Sequence, residues 1–191
     1  MIIIGYPGVG KSESSKQFVE VIDLESSIVS RDNGFKIVDE PLECYCHIAE
    51  YLSKQGYVVC VSSHSEVQKY FLKSTEQVYI CFPELDLRDS WVYHLRQRYL
   101  QDPNEKNYKA LDRVVSHFED DIEEMKHSGF DKIELPEGVF LTNVLFDSIK
   151  HQQELQEEQV TPEVTPDFFE ELEPEFESTE VTDGTENTEQ E

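Results

Sequence analysis

Lys11 and Ser12 end a glycine-rich stretch whose residue types and spacing predict phosphate chemistry. The residues from Gly5 to Ser12 read GYPGVGKS, which satisfies the pattern G-x-x-x-x-G-K-[ST]. Glycines let successive backbone N–H groups turn toward an anion, because a Cβ would obstruct that approach. The Lys11 ammonium can reach the β- and γ-phosphates of a nucleotide, and the Ser12 hydroxyl can coordinate Mg²⁺. The stretch therefore predicts a nucleotide-phosphate site with Mg²⁺.

The elements predicted on either side of this loop suit that chemistry. Ile2, Ile3 and Ile4 are β-branched and apolar, which is typical of a short buried strand. A helix that begins near Lys11 would point the positive end of its dipole at the same place. A chance match on a glycine-rich turn is the alternative, but the strand before the loop and the helix after it favour a phosphate site.

Asp23 opens a polar cluster at the end of the second predicted strand. Residues 19–23 read as a strand, and the sequence DLESS follows from Asp23 to Ser27. In open parallel sheets, ligands bind at the carboxyl ends of the strands. Asp23 is therefore a candidate catalytic and substrate-binding residue. Capping of the following loop is the alternative role of its carboxylate.

Three more residues are candidates for contact with a substrate. Ser62 and Ser63 follow a continuous apolar run over 57–61, which is typical of a strand buried on both faces. They are expected at the same edge of the sheet as Asp23. Arg31 suits a contact with the phosphate or carboxylate of an acceptor, and it suits equally well an ion pair with one of the many surface acids.

The remaining pattern alternates strands with helices, which indicates an α/β domain of three layers with a mainly parallel sheet. Residues 28–39 are expected to form a loop, with or without a short helix, and with a turn at Asn33 and Gly34. The other predicted elements are helices over 41–55, 65–73, 86–101, 106–127 and 139–156, and strands over 78–82 and 131–135.

The charge of the chain is strongly negative and unevenly distributed. The sequence has 41 acidic and 16 basic residues, a net charge of −25. Residues 151–191 hold 15 of the acids and no Lys or Arg. We expect a folded domain over 1–150 and an acidic, disordered tail over 151–191. The aromatic residues of the tail fit either a solvated segment or a docking motif for a protein partner.

Composition also excludes some partners. An acidic surface argues against binding of long nucleic acid through its phosphates. No apolar run approaches the ~18 residues of a membrane span, so no membrane partner is expected. The apolar start is too short for a signal peptide, and two of the four cysteines, Cys60 and Cys81, lie in apolar runs. The expectation is a reduced, cytoplasmic protein.

Residues 1–150 combine four features that resemble those of a known group. They are the glycine-rich loop, the sequence DLESS, the run VVCVSSH and the arginine-bearing helix after the fourth strand. The chain resembles the small P-loop kinases of the adenylate, shikimate and gluconate kinase type, in particular their bacteriophage-encoded relatives. The resemblance implies a P-loop NTPase fold with a five-stranded parallel sheet of order 2-3-1-4-5 and a short arginine-containing lid over 88–108. It also implies transfer of the γ-phosphate of Mg-ATP to a small-molecule acceptor, with nucleotides and nucleosides among the candidate acceptors.

The resemblance further implies roles for single residues. Arg96 and Arg98 would be lid arginines, with Arg96 on ATP and Arg98 catalytic, although residues two apart cannot share a helix face. Asp23 would be a base or an indirect Mg²⁺ ligand. The third strand ends in Ser62 and Ser63, where adenylate kinases have Asp, so the acceptor stays open. The residues implied to bind ATP in the loop region are Gly5, Tyr6, Pro7, Gly8, Val9, Gly10, Lys11, Ser12 and Glu13.

A second function remains open at this point. The chain could be a P-loop nucleotide-binding or ATPase module that acts through protein interaction. Its acidic tail would then be the docking arm.

Overall fold

The computed structural model describes residues 1–25, 31–32, 35–36 and 41–148. Five parallel strands form one sheet in the order β2-β5-β1-β6-β7, and β3 and β4 form a separate antiparallel pair. Numbered along the chain, the five strands of the sheet have the order 2-3-1-4-5, so the predicted fold class is confirmed. The strands are β1 (Ile2–Gly5), β2 (Val21–Asp23), β3 (Arg31–Asp32), β4 (Phe35–Lys36), β5 (Val58–Ser62), β6 (Val78–Pro83) and β7 (Asp131–Leu135).

Helices follow the strands and cover both faces of the sheet. The side chains of Ile2, Ile3 and Ile4 alternate between the two faces of β1, and all three are fully buried. The central strand is therefore enclosed on both sides, as a three-layer architecture requires. The helices are α1 (Lys11–Gln17), α2 (Pro41–Lys54), α3 (Ser65–Phe71), α4 (Arg88–Gln101), α5 (Glu105–Lys126) and α6 (141–148), with a 3₁₀ turn at Leu85–Leu87.

Two local predictions were wrong. The second strand begins at Val21, because the chain turns before it and Val19 is 85% exposed. The Val21 N–H donates to the Phe18 carbonyl and closes that turn. Part of the expected loop over 28–39 instead forms the short strands β3 and β4. The turn expected at 33–34 lies outside the described residues.

Helix α5 is kinked at His117, whose φ of −138° and ψ of 16° are not helical. The Arg88 Nη2 donates a hydrogen bond of 3.1 Å to the Val115 carbonyl, so a side chain enters the backbone ladder just before the kink. Such an insertion is a recognised cause of helix kinks. The Val115 side chain itself is 46% exposed.

In the part of the chain that the structure describes, no helix combines the length and the apolar character needed to cross a membrane. Residues 149–191 lie outside the described ranges. The predicted end of the last helix, the boundary of the acidic tail and its docking motif therefore stay predictions.

Candidate phosphate-binding site

The loop between β1 and α1 has the conformation that its glycines predict. Gly8 and Gly10 have φ of 92° and 100°, in the left-handed region that disfavours residues with a Cβ. At Gly5 the constraint is space instead, since a Cβ there would lie 2.8 Å from the Lys11 Cδ. The Lys11 side chain therefore folds back across Gly5, over the loop.

Four N–H groups of the loop remain available to an anion. Within the described residues, the N–H groups of Gly8, Gly10, Lys11 and Ser12 donate to no backbone carbonyl. They lie where α1 begins, so the unpaired donors and the positive end of the helix coincide. This cradle of N–H groups fits the phosphates of a nucleotide.

The other three residues of the loop support the cradle without offering it a free N–H. The Tyr6 N–H donates to the Cys81 carbonyl at 2.9 Å, and the Tyr6 side chain is fully buried, with its ring edge-on to Phe118. The Val9 N–H donates to the Tyr6 carbonyl at 3.3 Å. Pro7 has no N–H. These residues shape the loop through their carbonyls and their buried side chains.

The Lys11 ammonium is held at the loop by backbone carbonyls. Its Nζ donates to the Gly5 carbonyl at 2.6 Å and to the Tyr6 carbonyl at 3.3 Å. Burial lowers the pKa of Lys11, and the nearby Asp23 carboxylate opposes that effect. A phosphate in the cradle would stabilise the charged ammonium further, because an opposite charge favours the ionised form.

The structure brings two of the predicted site residues into contact. The Ser12 hydroxyl donates a short hydrogen bond to the Asp23 Oδ2, so the start of α1 meets the end of β2. A hydroxyl and a carboxylate are oxygen donors of the kind that Mg²⁺ takes. Among the described residues, no three His, Cys, Asp or Glu side chains form a metal-holding group. A cation here would therefore need phosphate and water as further ligands.

Glu13 turns away from the loop. Its carboxylate accepts from the Gln17 Nε2 at 3.1 Å and pairs with Lys16 at 3.5 Å, and the hydrogen bond from Gln17 is the main cause of its lowered pKa. The side chain is exposed on α1. The predicted role of Glu13 in ATP binding has no supporting side-chain contact in the described residues.

At the carboxyl edge of the sheet, Tyr45 joins two strand ends that sequence reasoning did not connect. Its hydroxyl donates to the Leu24 carbonyl and accepts from the Ser62 N–H, both at 2.9 Å. Burial raises the pKa of Tyr45 to about 12, so it stays a neutral donor. The sequence carries no signal for this bridge, because Leu24 and Ser62 lie far from Tyr45 in the chain.

The two predicted serines differ in what they offer. The Ser62 Oγ is buried and has no hydrogen-bond partner within the described residues. A buried hydroxyl without a hydrogen-bond partner costs free energy. Binding of a substrate group that forms this hydrogen bond would therefore be favoured. The Ser63 carbonyl instead accepts from the Gln68 Nε2 at 3.0 Å, which anchors α3 to the end of β5.

Two of the three predicted arginines, Arg96 and Arg98, lie on different faces of α4. Arg98 is seven residues beyond Trp91 and so shares its face, toward the loop, whereas Arg96 is about 140° around the helix from Trp91 and exposed. Arg31 lies in β3, and its side chain is outside the described part of the chain. The roles of all three arginines stay predictions, with geometry favouring Arg98 over Arg96.

An aromatic cluster beside the loop was missed by the sequence analysis. We define it as Trp91, His94 and Phe140. The Trp91 Nε1 donates to the Pro7 carbonyl at 2.8 Å, and the Phe140 ring centroid lies 5.8 Å from that of Trp91 and 5.2 Å from that of His94. The single tryptophan of the chain was the available signal. No local pattern marks Phe140, because it reaches the loop from the segment after β7.

That segment is fastened to the loop and to α1. The Leu141 N–H donates to the Val9 carbonyl at 2.8 Å, and the Thr142 and Ser14 hydroxyls are hydrogen-bonded at 3.0 Å. The aromatic cluster is therefore fixed directly beside the loop and α1.

Among solved structures, the chain is similar to shikimate kinase from Bacteroides thetaiotaomicron, at 15% identity and a TM-score of 0.43, over 82% of this chain and 97% of that one. No family model matches the sequence. No curated protein matches it either. A likeness at this level carries no functional information, so we infer function from the residues of this chain.

Proposed function

We propose that this protein is a kinase that transfers the γ-phosphate of Mg-ATP to a small-molecule acceptor. One observation carries the proposal. The unpaired N–H groups of the loop lie beside the Lys11 ammonium, and the Ser12 hydroxyl at the end of the same loop bonds to Asp23 at the acceptor edge. A donor site and a candidate base are thus adjacent.

The donor half would bind the nucleotide through its phosphates and its base. The cradle and Lys11 would take the phosphate charge, and Ser12 would hold Mg²⁺, which would neutralise negative charge on the phosphates during transfer. The aromatic cluster offers the faces of His94 and Phe140 to a planar base, since aromatic rings favour offset stacking.

The acceptor half would lie between Asp23 and Ser62, on the neighbouring strands β2 and β5. Asp23 could accept the proton of an acceptor hydroxyl, a contribution of roughly 10²–10⁴-fold in rate. The unpartnered Ser62 hydroxyl would bind the acceptor, and Arg98 would add positive charge against the transferring phosphate. Arg31 and Ser63 remain candidates for the same acceptor. Nucleosides and nucleotides are the first acceptors to test.

The test is a coupled assay of ADP release with the full chain and a panel of nucleosides, nucleotides, sugars and polyols. We expect at least one acceptor to raise ADP release. The Asp23→Asn variant should then lose about 10²-fold or more of that rate while it still binds Mg-ATP. Asp120→Asn is the matched control, because Asp120 is exposed on α5. If the chain binds Mg-ATP but no acceptor raises the rate of ADP release, the proposal is contradicted.

A second candidate function rests on the 15 acidic residues and absent basic ones of residues 151–191. In it, the nucleotide site controls binding of a protein partner through this acidic segment. Deletion of the residues after Gln159 should abolish partner capture without changing nucleotide affinity. Unchanged capture after that deletion would reject this function.

A further inference from the structure

Lys106 forms an ion pair with Glu25, close in the chain to the candidate site residue Asp23. It lies in the first turn of α5, and its ammonium pairs with the carboxylate of Glu25, two residues after Asp23. The two partners are 81 positions apart in the chain. The start of α5 is thereby connected to the acceptor edge of the sheet.

The charge of Lys106 also acts on the donor half. Burial is the main cause of the lowered pKa of Lys11, and the Lys106 ammonium lowers it further. Two ammonium groups, one from the loop and one from α5, therefore lie close enough to influence each other. A multiply charged anion between them would relieve their repulsion.

The backbone that carries Lys106 is firmly held. Asn104 caps α5 by accepting from the Asn107 N–H at 2.8 Å, and the buried Asn107 donates its Nδ2 to the Asp102 carbonyl at 2.7 Å. The Lys106 side chain is nevertheless 55% exposed. The ammonium can therefore change partners while its Cα stays in place, and a partly exposed ion pair is weak enough to exchange.

We propose that Lys106 is a second phosphate-binding cation. When a nucleotide binds, the Lys106 ammonium breaks its ion pair with Glu25 and contacts the γ-phosphate of that nucleotide. This inference rests on the proposed function, because it requires a nucleoside triphosphate in the loop. Glu25 then acts as a competing anion that keeps the ammonium within reach of the phosphates. Sequence reasoning placed the lid cations at Arg96 and Arg98 and missed Lys106.

The experiment measures Mg-ATP and Mg-ADP binding by the fluorescence of Trp91, the single tryptophan of the chain, which bonds to the loop at Pro7. Lys106→Met should weaken Mg-ATP binding about tenfold or more, the size of one charge-assisted hydrogen bond, and Mg-ADP binding less than about twofold. Lys109→Met is the matched control. Lys109 lies on the same helix and pairs with Glu105 at 2.6 Å.

A second variant tests the exchange itself. Glu25→Gln should tighten Mg-ATP binding a few-fold in the wild-type background and have no such effect in Lys106→Met. Equal weakening of ATP and ADP by Lys106→Met, or agreement with Lys109→Met, would overturn the inference while the proposed function stands. If the wild-type chain binds no Mg-ATP, the donor site of the proposed function fails, and the inference fails with it. Thermal unfolding of each variant shows that the fold is intact.

Discussion

The proposed donor half and the proposed acceptor half of the site are built from different parts of the chain. The donor half is one continuous stretch, Gly5 to Ser12, and its binding groups are mostly backbone N–H groups. The acceptor half combines side chains from separate segments, with Asp23 at the end of β2 and Ser62 at the end of β5. Backbone chemistry depends on glycines at set positions, whereas side-chain chemistry depends on which distant segments meet. The residues of the loop therefore predict a class of ligand, nucleotide phosphates. The residues at the ends of β2 and β5 do not predict which acceptor binds.

The largest expected effect comes from breaking the donor half at Gly8. A Cβ at this φ of 92° would lie 2.9 Å from the Trp91 Nε1 and 3.2 Å from the Leu95 Cδ2. We expect Gly8→Ala to lose about 2 kcal/mol of stability or more and about 10²-fold in Mg-ATP affinity. Thermal unfolding and calorimetric titration measure the two losses.

Gly56→Ala is the control for backbone strain alone. Gly56 has a φ of 94°, but a Cβ there would meet nothing within 4 Å. The control should lose about 1–2 kcal/mol of stability and keep full nucleotide affinity. Equal loss of affinity in both variants would show that the crowding of Gly8 against α4 does not matter for binding.

A smaller effect is expected at the arginines of α4. Arg98→Gln should lower acceptor-dependent turnover about 10- to 100-fold, because Arg98 lies on the face of Trp91, toward the loop. Arg96→Gln should stay within about threefold of wild type, since its side chain is on the exposed face. Steady-state kinetics distinguish them. The reverse order of effects would mean that α4 is broken or rotated during turnover.

Trp91→Phe should weaken the donor half only moderately. The variant keeps most of the buried ring but leaves the Pro7 carbonyl without its 2.8 Å donor. We expect about 1 kcal/mol of lost stability and a several-fold loss of Mg-ATP affinity. Calorimetry is required here, because the variant removes the fluorescent residue. An unchanged affinity would show that the loop keeps its conformation without α4.

The smallest expected effect is a pH dependence at His94. Burial, with help from the Arg98 charge, lowers the pKa of His94, so the folded state favours the neutral ring. The stability that the neutral His94 ring contributes is present above the unfolded pKa of about 6.5. It is lost as the pH falls through the lower pKa of the folded state. Unfolding midpoints between pH 7.5 and 5 should fall less steeply for His94→Gln than for wild type. Parallel curves would contradict this assignment.

The contrast between the halves also explains what the sequence could predict. Apolar runs and turn residues predicted where the strands and helices lie, and the order of the strands in the sheet came from the resemblance to the small P-loop kinases. The loop was predicted from a motif whose glycines set the backbone conformation. Asp23 was predicted as a site residue because a polar cluster follows the second predicted strand. Trp91, Phe140 and Lys106 were not assigned to the site, since each reaches it only through tertiary contacts between segments far apart in the sequence. No local sequence pattern indicates such tertiary contacts.

Calorimetric titration of Mg-ATP into wild type and Lys11→Met tests the donor site most directly. We predict saturable one-to-one binding that requires Mg²⁺ and weakens about 100-fold or more in the variant, because Lys11 is the ammonium of the loop. Lys16→Met is the control, as Lys16 lies exposed on the same helix in an ion pair with Glu13. Binding that is equally strong in Lys11→Met, or absent from wild type, would contradict the account.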